Sequence, residues 1–130
     1  MEVRAPSAPD HAAIRELLAS NGWEHRLGDA AWLARLLAGS HALVAVEGDT
    51  IVGFARAVTD GVSNGYLSMV VVAPEHRGRG IGTQLVRGVM GNDPGMTWVL
   101  RASRPGAREF FARLGFTPST DAMERRRAAP

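Results

Sequence analysis

The chain has 130 residues, and its 15 basic and 13 acidic side chains leave a formal net charge of +2. This length is typical of one domain, so we expect residues 1–130 to fold as a single unit. Cysteine is absent, which excludes disulfides and thiolate metal sites. The four histidines lack the spacing of metal ligands, so no metal is expected.

The charge and hydropathy patterns exclude two classes of partner. No apolar segment approaches the roughly 20 residues that a membrane helix needs, and the first residues lack the apolar core of a signal peptide. We therefore expect a cytoplasmic protein without a membrane partner. A nucleic-acid-binding domain would bind with a steep salt dependence, but the small basic excess and the sparse aromatic residues predict no nucleic-acid partner.

The first part of the chain is predicted to contain one short strand and two helices. Residues 2–5 form a candidate edge strand. Ser7 and Asp10 have the spacing of a capping box, which predicts a first helix that stops at Asn21-Gly22. Asp29 is a suitable cap for a second helix. Together these signals predict a β-α-α beginning.

The middle of the chain is predicted to form antiparallel strands. Residues 41–47 and 50–58 are rich in apolar residues and flank Gly48-Asp49, a pair typical of tight hairpins. A third strand is predicted at residues 66–72, after a longer loop. Its run Val70–Val72 is apolar on both faces, which favours a central position in the sheet.

The last part of the chain alternates helices and strands. One helix is broken at residues 91–95 by glycine and proline. We predict a buried strand at 96–102, a short helix at 107–114, and a last strand that begins at Phe116. The predicted fold is α/β (α+β), with a mixed, mostly antiparallel sheet of six to seven strands and about four helices.

The segment between the third strand and the next helix is poor in side chains. Residues 77–82, Arg-Gly-Arg-Gly-Ile-Gly, hold three glycines and two arginines, and we call them the glycine turn. A helix N-terminus offers unpaired N–H groups and a partial positive charge, and glycines let an anion approach them closely. This pattern predicts a phosphate or pyrophosphate ligand.

Two common phosphate motifs do not fit the glycine turn. The P-loop requires a Gly-Lys pair, and the chain has no lysine. The dinucleotide pattern G-x-G-x-x-G almost fits from Gly78, but Thr83 occupies its last position. Three antiparallel strands also precede the turn, whereas a dinucleotide-binding fold places it after the first strand of a βαβ unit.

The succession of motifs resembles the GNAT N-acetyltransferase superfamily. Arg77, Gly80 and Gly82 match its acetyl-CoA signature, (Q/R)-x-x-G-x-(G/A). The beginning, "EVRAPSAPDHAAIRELL", resembles the family's first strand and helix, and "RASRPGAREFFARLGF" resembles its C-terminal block. The resemblance covers residues 2–118 in the order of the family, which makes it far more specific than the signature alone.

The resemblance implies how acetyl-CoA, the co-substrate, is bound. The sheet would splay between strand 66–72 and strand 96–102, and the pantetheine arm would pair with the backbone of Val70 and Val72. The backbone of the glycine turn would hold the pyrophosphate. The implied cofactor-binding residues are Val70, Val71, Val72, Arg77, Gly78, Arg79, Gly80, Ile81, Gly82, Thr83, Arg104 and Phe111.

The catalytic pattern that the resemblance implies is incomplete in this chain. Phe111 occupies the position of the family's proton-donating tyrosine, and Val99 and Met69 occupy the positions of its acidic bases. Substitutes are expected at the start of the central strand and in the loop between the first two helices, which borders the acceptor site in this family. The candidate catalytic residues are Tyr66, Glu24 and His25.

The resemblance implies transfer of an acetyl group from acetyl-CoA to a primary amine of a small molecule or of a protein N-terminus. The expected partner is therefore a small-molecule amine or a peptide acceptor. Because the usual proton donor and base are replaced, a non-catalytic acyl-CoA-binding module is the alternative. A homodimer is the candidate assembly.

Overall fold

The computed structural model describes residues 1–129. Within them five strands and four α-helices are joined by loops and by short 3-10 and π-helical turns. None of the described helices is both long enough and apolar enough to cross a membrane. In chain order the elements are β1 (Glu2–Arg4), α1 (His11–Leu18), α2 (Ala30–Ala38), β2 (His41–Glu47), β3 (Thr50–Thr59), β4 (Asn64–Val72), α3 (Ile81–Met90), β5 (Thr97–Leu100) and α4 (Ala107–Ala112).

The five strands form one mixed sheet in the order β1-β2-β3-β4-β5. The first three pairings are antiparallel, and β4 and β5 are parallel. The parallel pairing begins at Asn64 and Thr97 and ends at Leu67 and Leu100. Residues 68–72 of β4 therefore have no strand beside them on that side within residues 1–129. The sheet is splayed between β4 and β5, which confirms the expected GNAT-like arrangement.

The first two helices begin at the predicted caps. The Asp10 carboxylate accepts hydrogen bonds from Arg4 Nη1 and from the Ser7 N–H, each at 2.7 Å. The Arg4 contact, followed by the Ser7 backbone contact, holds the pKa of Asp10 well below its usual range. The Asp29 side chain accepts the Trp32 N–H at 2.8 Å and caps α2. The contacts of Asp10 thus lie at the start of α1, and the Asp29 cap fixes where the loop between α1 and α2 ends.

The core lies between the sheet and the helices that cover it. α1 buries Ile14, Leu17 and Leu18 and packs against β3 and β4. α3 packs against β2, β3 and β4. Gly53 on β3 permits the close approach of α3, because a Cβ at this position would lie only 2.8 Å from the Leu85 side chain. The start of α3, which follows the glycine turn, is thereby held against the sheet.

The sheet has five strands in residues 1–129, not the predicted six to seven, and the strand predicted at Phe116 is absent. The chain after α4 folds back on that helix instead. The Phe116 N–H donates to the Phe111 carbonyl at 3.1 Å, and the two rings meet edge to face with centroids 5.7 Å apart. Because the Phe116 N–H and ring already have partners on α4, this segment does not pair with β5.

β5 is shorter and more exposed than the buried strand predicted at residues 96–102. It spans Thr97–Leu100, and Val99 is 43% exposed. Successive side chains of a strand point to opposite faces of the sheet, and Thr97 and Val99 lie on the face of β5 that is exposed. Trp98, on the other face, packs so closely over Gly65 that a side chain there would collide with its ring.

Candidate active site

A cleft of about 910 Å³ opens where β4 and β5 separate. It is lined by the loop between α1 and α2, the unpaired part of β4, the glycine turn, and the segment from the end of β5 through α4. β4 and the glycine turn are neighbours in the sequence, whereas the loop between α1 and α2 and the segment after β5 are far from them and from each other. The fold brings all four segments to the gap between β4 and β5. The cleft is the place where the predicted cofactor and acceptor residues meet.

β4 is irregular at the point where β5 leaves it. Opposite β3, Phe54 pairs with Val71 and Arg56 pairs with Ser68, so β4 contains one extra residue between them. Met69, within this bulge, is the single non-glycine residue with a positive φ (55°) in the described chain. A left-handed conformation costs about 1–3 kcal/mol for such a residue. The bulge therefore interrupts the pairing of β4 with β3 beside the cleft.

The glycine turn is open and bare, as an anion site requires. Gly78 and Gly80 have φ values of 79° and 80°, which glycine adopts without steric cost. A Cβ on either residue would meet no heavy atom within 4 Å, so the space around the turn is free. Gly80 precedes α3 and supplies no side-chain cap. The first N–H groups of α3 are therefore left for a ligand or water.

Arg77 extends back along the cleft rather than outward. Its Nε donates to the Val72 carbonyl at 3.0 Å, and its Nη2 donates to Asn21 Oδ1 at 3.1 Å. The carbonyl at the end of β4 is thus already engaged by a side chain. The positive charge of Arg77 stays beside the glycine turn, where it favours an anion.

Arg104 bridges the cleft from the loop before α4 to the loop after α1. Its Nη1 donates to the Asn21 carbonyl at 3.0 Å and its Nη2 donates to the Gly22 carbonyl at 3.1 Å. Its Cζ lies 3.4 Å from the centre of the Trp23 ring, which adds a cation–π contact. Gly22 has φ 99°, and a Cβ there would lie 2.7 Å from Arg104 Nη1. Glycine is therefore needed for this bridge.

Phe110 and Phe111 line the cleft on the side of α4. The Phe111 ring, 9% exposed, lies edge to face against Phe110 with centroids 4.9 Å apart, and against Phe116. A Cβ on Gly82 would lie 3.2 Å from the Phe110 ring. α4 therefore leans on the first turn of α3, and the face of Phe110 and Phe111 toward the cleft is apolar.

Most of the sequence-predicted site residues line the cleft. Among the cofactor candidates, only Arg79 does not contribute to its lining; Val70, Val71, Val72, Arg77, Gly78, Gly80, Ile81, Gly82, Thr83, Arg104 and Phe111 all do. Among the catalytic candidates, Tyr66 and His25 line it, whereas Glu24 does not. Val99 also lies outside the lining, and Met69 lies within it.

Several lining residues were not found from the sequence. His76, which immediately precedes the glycine turn, lines the cleft. Arg26, Arg101 and Arg113 also line it, and Trp23 forms part of its wall. Arginines spread over three separate segments produce no local motif, so only the folded chain reveals them. Within residues 1–129 no group of acidic residues and histidines is placed to hold a metal ion.

Comparisons with known proteins agree with this geometry. The GNAT acetyltransferase domain model matches residues 38–118. A mycothiol acetyltransferase from Nocardia farcinica is 32% identical over 123 residues, which cover 89% of this chain and 40% of that protein. The chain thus spans less than half the length of this curated relative.

Two solved structures show the same fold. A GNAT-family protein from Xanthomonas campestris pv. campestris is 31% identical with a TM-score of 0.82, and the match covers 96% of this chain and 92% of that one. An aminoglycoside N-acetyltransferase in complex with CoA is 18% identical with a TM-score of 0.74, covering 98% and 95% of the two chains. The second likeness concerns the fold alone.

Proposed function

This chain belongs to the GNAT acetyltransferase family, and we propose that it transfers an acetyl group from acetyl-CoA to a primary amine of a small molecule or of a protein N-terminus. One observation supports this most directly: within residues 1–129, residues 68–72 of β4 have no strand on the side of β5, and a short turn connects them to the bare glycine turn. That edge offers backbone groups to an extended chain, and the turn offers amides to phosphates. We also propose that residues 1–130 act as one domain.

The residues of the cleft suit acetyl-CoA in each of its parts. The amides of the glycine turn and Thr83 would hold the pyrophosphate, and the free space at Gly78 and Gly80 leaves room for it. Val70 and its neighbours would pair with the pantetheine amides. The apolar faces of Phe110 and Phe111 would cover the remaining arm. Bound acetyl-CoA supplies an acetyl thioester, which is activated toward attack by an amine.

The reaction requires a neutral amine and a way to release the thiol. The amine nitrogen forms a bond to the acetyl carbon, the carbon–sulfur bond breaks, and one ammonium proton passes to the sulfur or to solvent. A backbone N–H of β4 near the bulge at Met69 would polarise the carbonyl oxygen. Tyr66 and His25 are the candidate groups in the cleft that exchange protons with the amine. Glu24 remains a candidate only through movement of its loop.

The proposal is tested by thiol release from acetyl-CoA in the presence of amines. The panel contains an aminoglycoside, peptides with free N-termini, and free amino acids with their amides. We expect turnover that depends on the amine and yields the N-acetyl product by mass spectrometry. The alternative is a non-catalytic acyl-CoA-binding module, favoured by the absence of a proton donor at Phe111. It predicts that acetyl-CoA raises the Tm while no amine increases thiol release.

A further inference from the structure

The cleft is lined by five arginines and two histidines but, among the described residues, by no aspartate or glutamate. Acetyl-CoA carries phosphates, which account for Arg77 beside the glycine turn. Phosphates bound at the turn do not account for positive side chains at the other end of the cleft. Arginines that line the cleft far from the turn are therefore available to another anion.

Arg101 lies at the end of the cleft opposite the glycine turn. The last paired residues of β5 and β4 are Leu100 and Leu67, and Arg101 follows immediately. Val72, which precedes the turn, is five residues farther along β4 than Leu67. A strand advances about 3.3 Å per residue, so these positions are separated by about 16 Å. Arg101 thus stands where the two strands begin to diverge.

Arg26 reaches the same end from the loop between α1 and α2. It lines the cleft, is half-buried, and has no hydrogen bond or ion pair with another side chain in residues 1–129. Partial burial, and then the positive charges of Arg127, Arg101 and Arg104, lower its pKa. A guanidinium keeps its proton at any ordinary pH. Arg26 therefore remains charged beside other arginines, and an anion would relieve their mutual repulsion.

A carboxylate already occupies part of this positive region. Glu124, in the segment after α4, accepts an ion-pair contact from Arg101 Nε at 2.8 Å. Its hydrogen bond with Arg126, and then the charges of Arg101, Arg126 and Arg26, lower its pKa. Glu124 is 44% exposed and belongs to a segment without helix or strand. Its carboxylate shows the kind of group that this region binds.

We propose that the acceptor of this enzyme carries a carboxylate close to its amine, and that Arg26 and Arg101 bind this carboxylate where β4 and β5 diverge. The proposal rests on the proposed acetyl transfer to an amine and names the class of amine. The acceptor's carboxylate would take the place of Glu124 on Arg101 and would gain Arg26 as a second partner. Charge-assisted contacts with arginine fix both position and orientation, so the amine would be directed toward the bulge of β4.

The first experiment compares acceptors that differ only in the carboxylate. 2-Aminobenzoate and 2-aminobenzamide hold the amine next to the carboxylate or the amide, and both amines are unprotonated at pH 7, so neither amine has to lose a proton before it reacts. Each amino acid of the panel is also paired with its amide, whose less basic amine favours the amide chemically. We expect kcat/KM to be roughly ten- to hundredfold higher for the carboxylate member of each pair. This advantage should shrink as salt is added.

The second experiment removes the charges one at a time. Arg26→Gln and Arg101→Gln should each reduce the carboxylate advantage about tenfold through KM, while the KM for acetyl-CoA stays unchanged. Arg35→Gln, on the exposed face of α2 and outside the cleft, is the matched control and should change neither constant. Glu124→Gln removes the competing carboxylate and should lower the KM of carboxylate acceptors by several fold.

The outcomes separate this proposal from the proposed function. Turnover of carboxylates and amides at equal kcat/KM would overturn the carboxylate subsite and leave acetyl transfer intact. An advantage that survives both arginine substitutions would also overturn it, because the carboxylate would then be bound elsewhere. If no amine in the panel supports thiol release, acetyl transfer to an amine fails, and this inference fails with it.

Discussion

The two halves of the cleft are built from different materials. The half that we propose for the cofactor (the cofactor half), residues 68–83, consists mainly of backbone: an unpaired strand edge and a turn in which Gly78 and Gly80 adopt φ values near 80°. The half that we propose for the acceptor (the acceptor half) consists of side chains from separate segments: Asn21, Trp23, His25, Arg26, Tyr66, Arg101 and Arg104. A backbone site is fixed by the fold, whereas single substitutions can retune a side-chain site. We therefore expect the two halves to respond independently to mutation.

One residue connects the two halves. The Asn21 side chain accepts from Arg77 at 3.1 Å, and its carbonyl accepts from Arg104 at 3.0 Å. Its Nδ2 donates to the Leu17 carbonyl at 2.8 Å, which ties it to the end of α1. The loop between α1 and α2 is therefore held by a hydrogen bond to Arg77, the first residue of the glycine turn. The two halves therefore respond independently only to substitutions that leave the hydrogen bonds of Asn21 in place.

The largest expected effect comes from closing the glycine turn. Gly80→Asp puts a carboxylate into the free space beside the first turn of α3. We expect the rise in Tm caused by acetyl-CoA to disappear, while the protein without ligand remains folded. Thermal unfolding without acetyl-CoA shows whether the variant is folded, and unfolding with acetyl-CoA measures the rise in Tm.

The matched control for that substitution is Gly61→Asp. Gly61 has φ 75°, equally free space around its Cβ, and lies outside the cleft. The substitution at Gly61 imposes the same backbone strain as the one at Gly80, about 1–2 kcal/mol, but it lies away from the proposed pyrophosphate site. Acetyl-CoA should still raise its Tm. An undiminished rise in the Gly80 variant would refute the assignment of the pyrophosphate to the glycine turn.

The sequence allowed the cofactor half to be predicted because its signals are local. The hairpin at Gly48-Asp49, the caps at Asp10 and Asp29, and the strand-turn-helix around Gly80 each depend on residues a few positions apart. Only Arg79, among the predicted cofactor residues, lies outside the cleft. Local patterns fix local backbone, and this half is made of local backbone.

The acceptor half could not be predicted in the same way. Arg26 and Arg101 are 75 positions apart in the sequence numbering, and only the folded chain brings the loop between α1 and α2 and the end of β5 to the same cleft. Long-range packing decides such positions, and no short pattern records it. The strand expected at Phe116 failed for a different reason, because the local contact of its ring with Phe111 outweighed its β propensity.

The second largest effect concerns protonation of the acceptor. A lysine-like amine, with a pKa near 10.4, is neutral about once in 2,500 molecules at pH 7, whereas an α-amine near pKa 8 is neutral about once in ten. Because no acidic residue lines the cleft within residues 1–129, we expect low-pKa amines to react roughly ten- to hundredfold faster. For each acceptor, kcat/KM should rise with pH until the pKa of that amine.

The test of this prediction is a pair of pH–rate profiles for acceptors of different pKa. A common inflection near pH 6–7, shared by both acceptors, would instead reveal an enzyme base. Alanine substitution of Tyr66, His25 and Glu24 would then identify it. The result decides whether the acceptor half only positions the amine or also deprotonates it.

A smaller effect is expected from cutting the bridge across the cleft. Arg104→Ala removes two hydrogen bonds and the contact with Trp23, together worth about 1–2 kcal/mol. We expect KM for the amine to rise about tenfold. Arg104→Lys should restore little, because lysine lacks the planar guanidinium, which donates from its edge to two carbonyls while its face lies against the Trp23 ring. A rise confined to KM for acetyl-CoA would place Arg104 in the cofactor half instead.

The smallest expected effect comes from Phe111→Tyr, which tests whether the cleft lacks a proton donor for the sulfur of acetyl-CoA. A thiol has a pKa of about 8.5, so release of thiolate at pH 7 costs at most about 2 kcal/mol relative to thiol. A tyrosine hydroxyl that reaches the sulfur should therefore raise kcat by several fold, below a ceiling of about thirtyfold, and acetyl-CoA should still bind. The Phe111 ring is 9% exposed and packed between Phe110 and Phe116. If the hydroxyl points into that packing instead, the free energy of unfolding should fall by about 2 kcal/mol or more, with no gain in kcat. Urea unfolding and steady-state kinetics of the variant distinguish the two orientations, and the second would mean that proton transfer to sulfur is left to solvent or to the acceptor half.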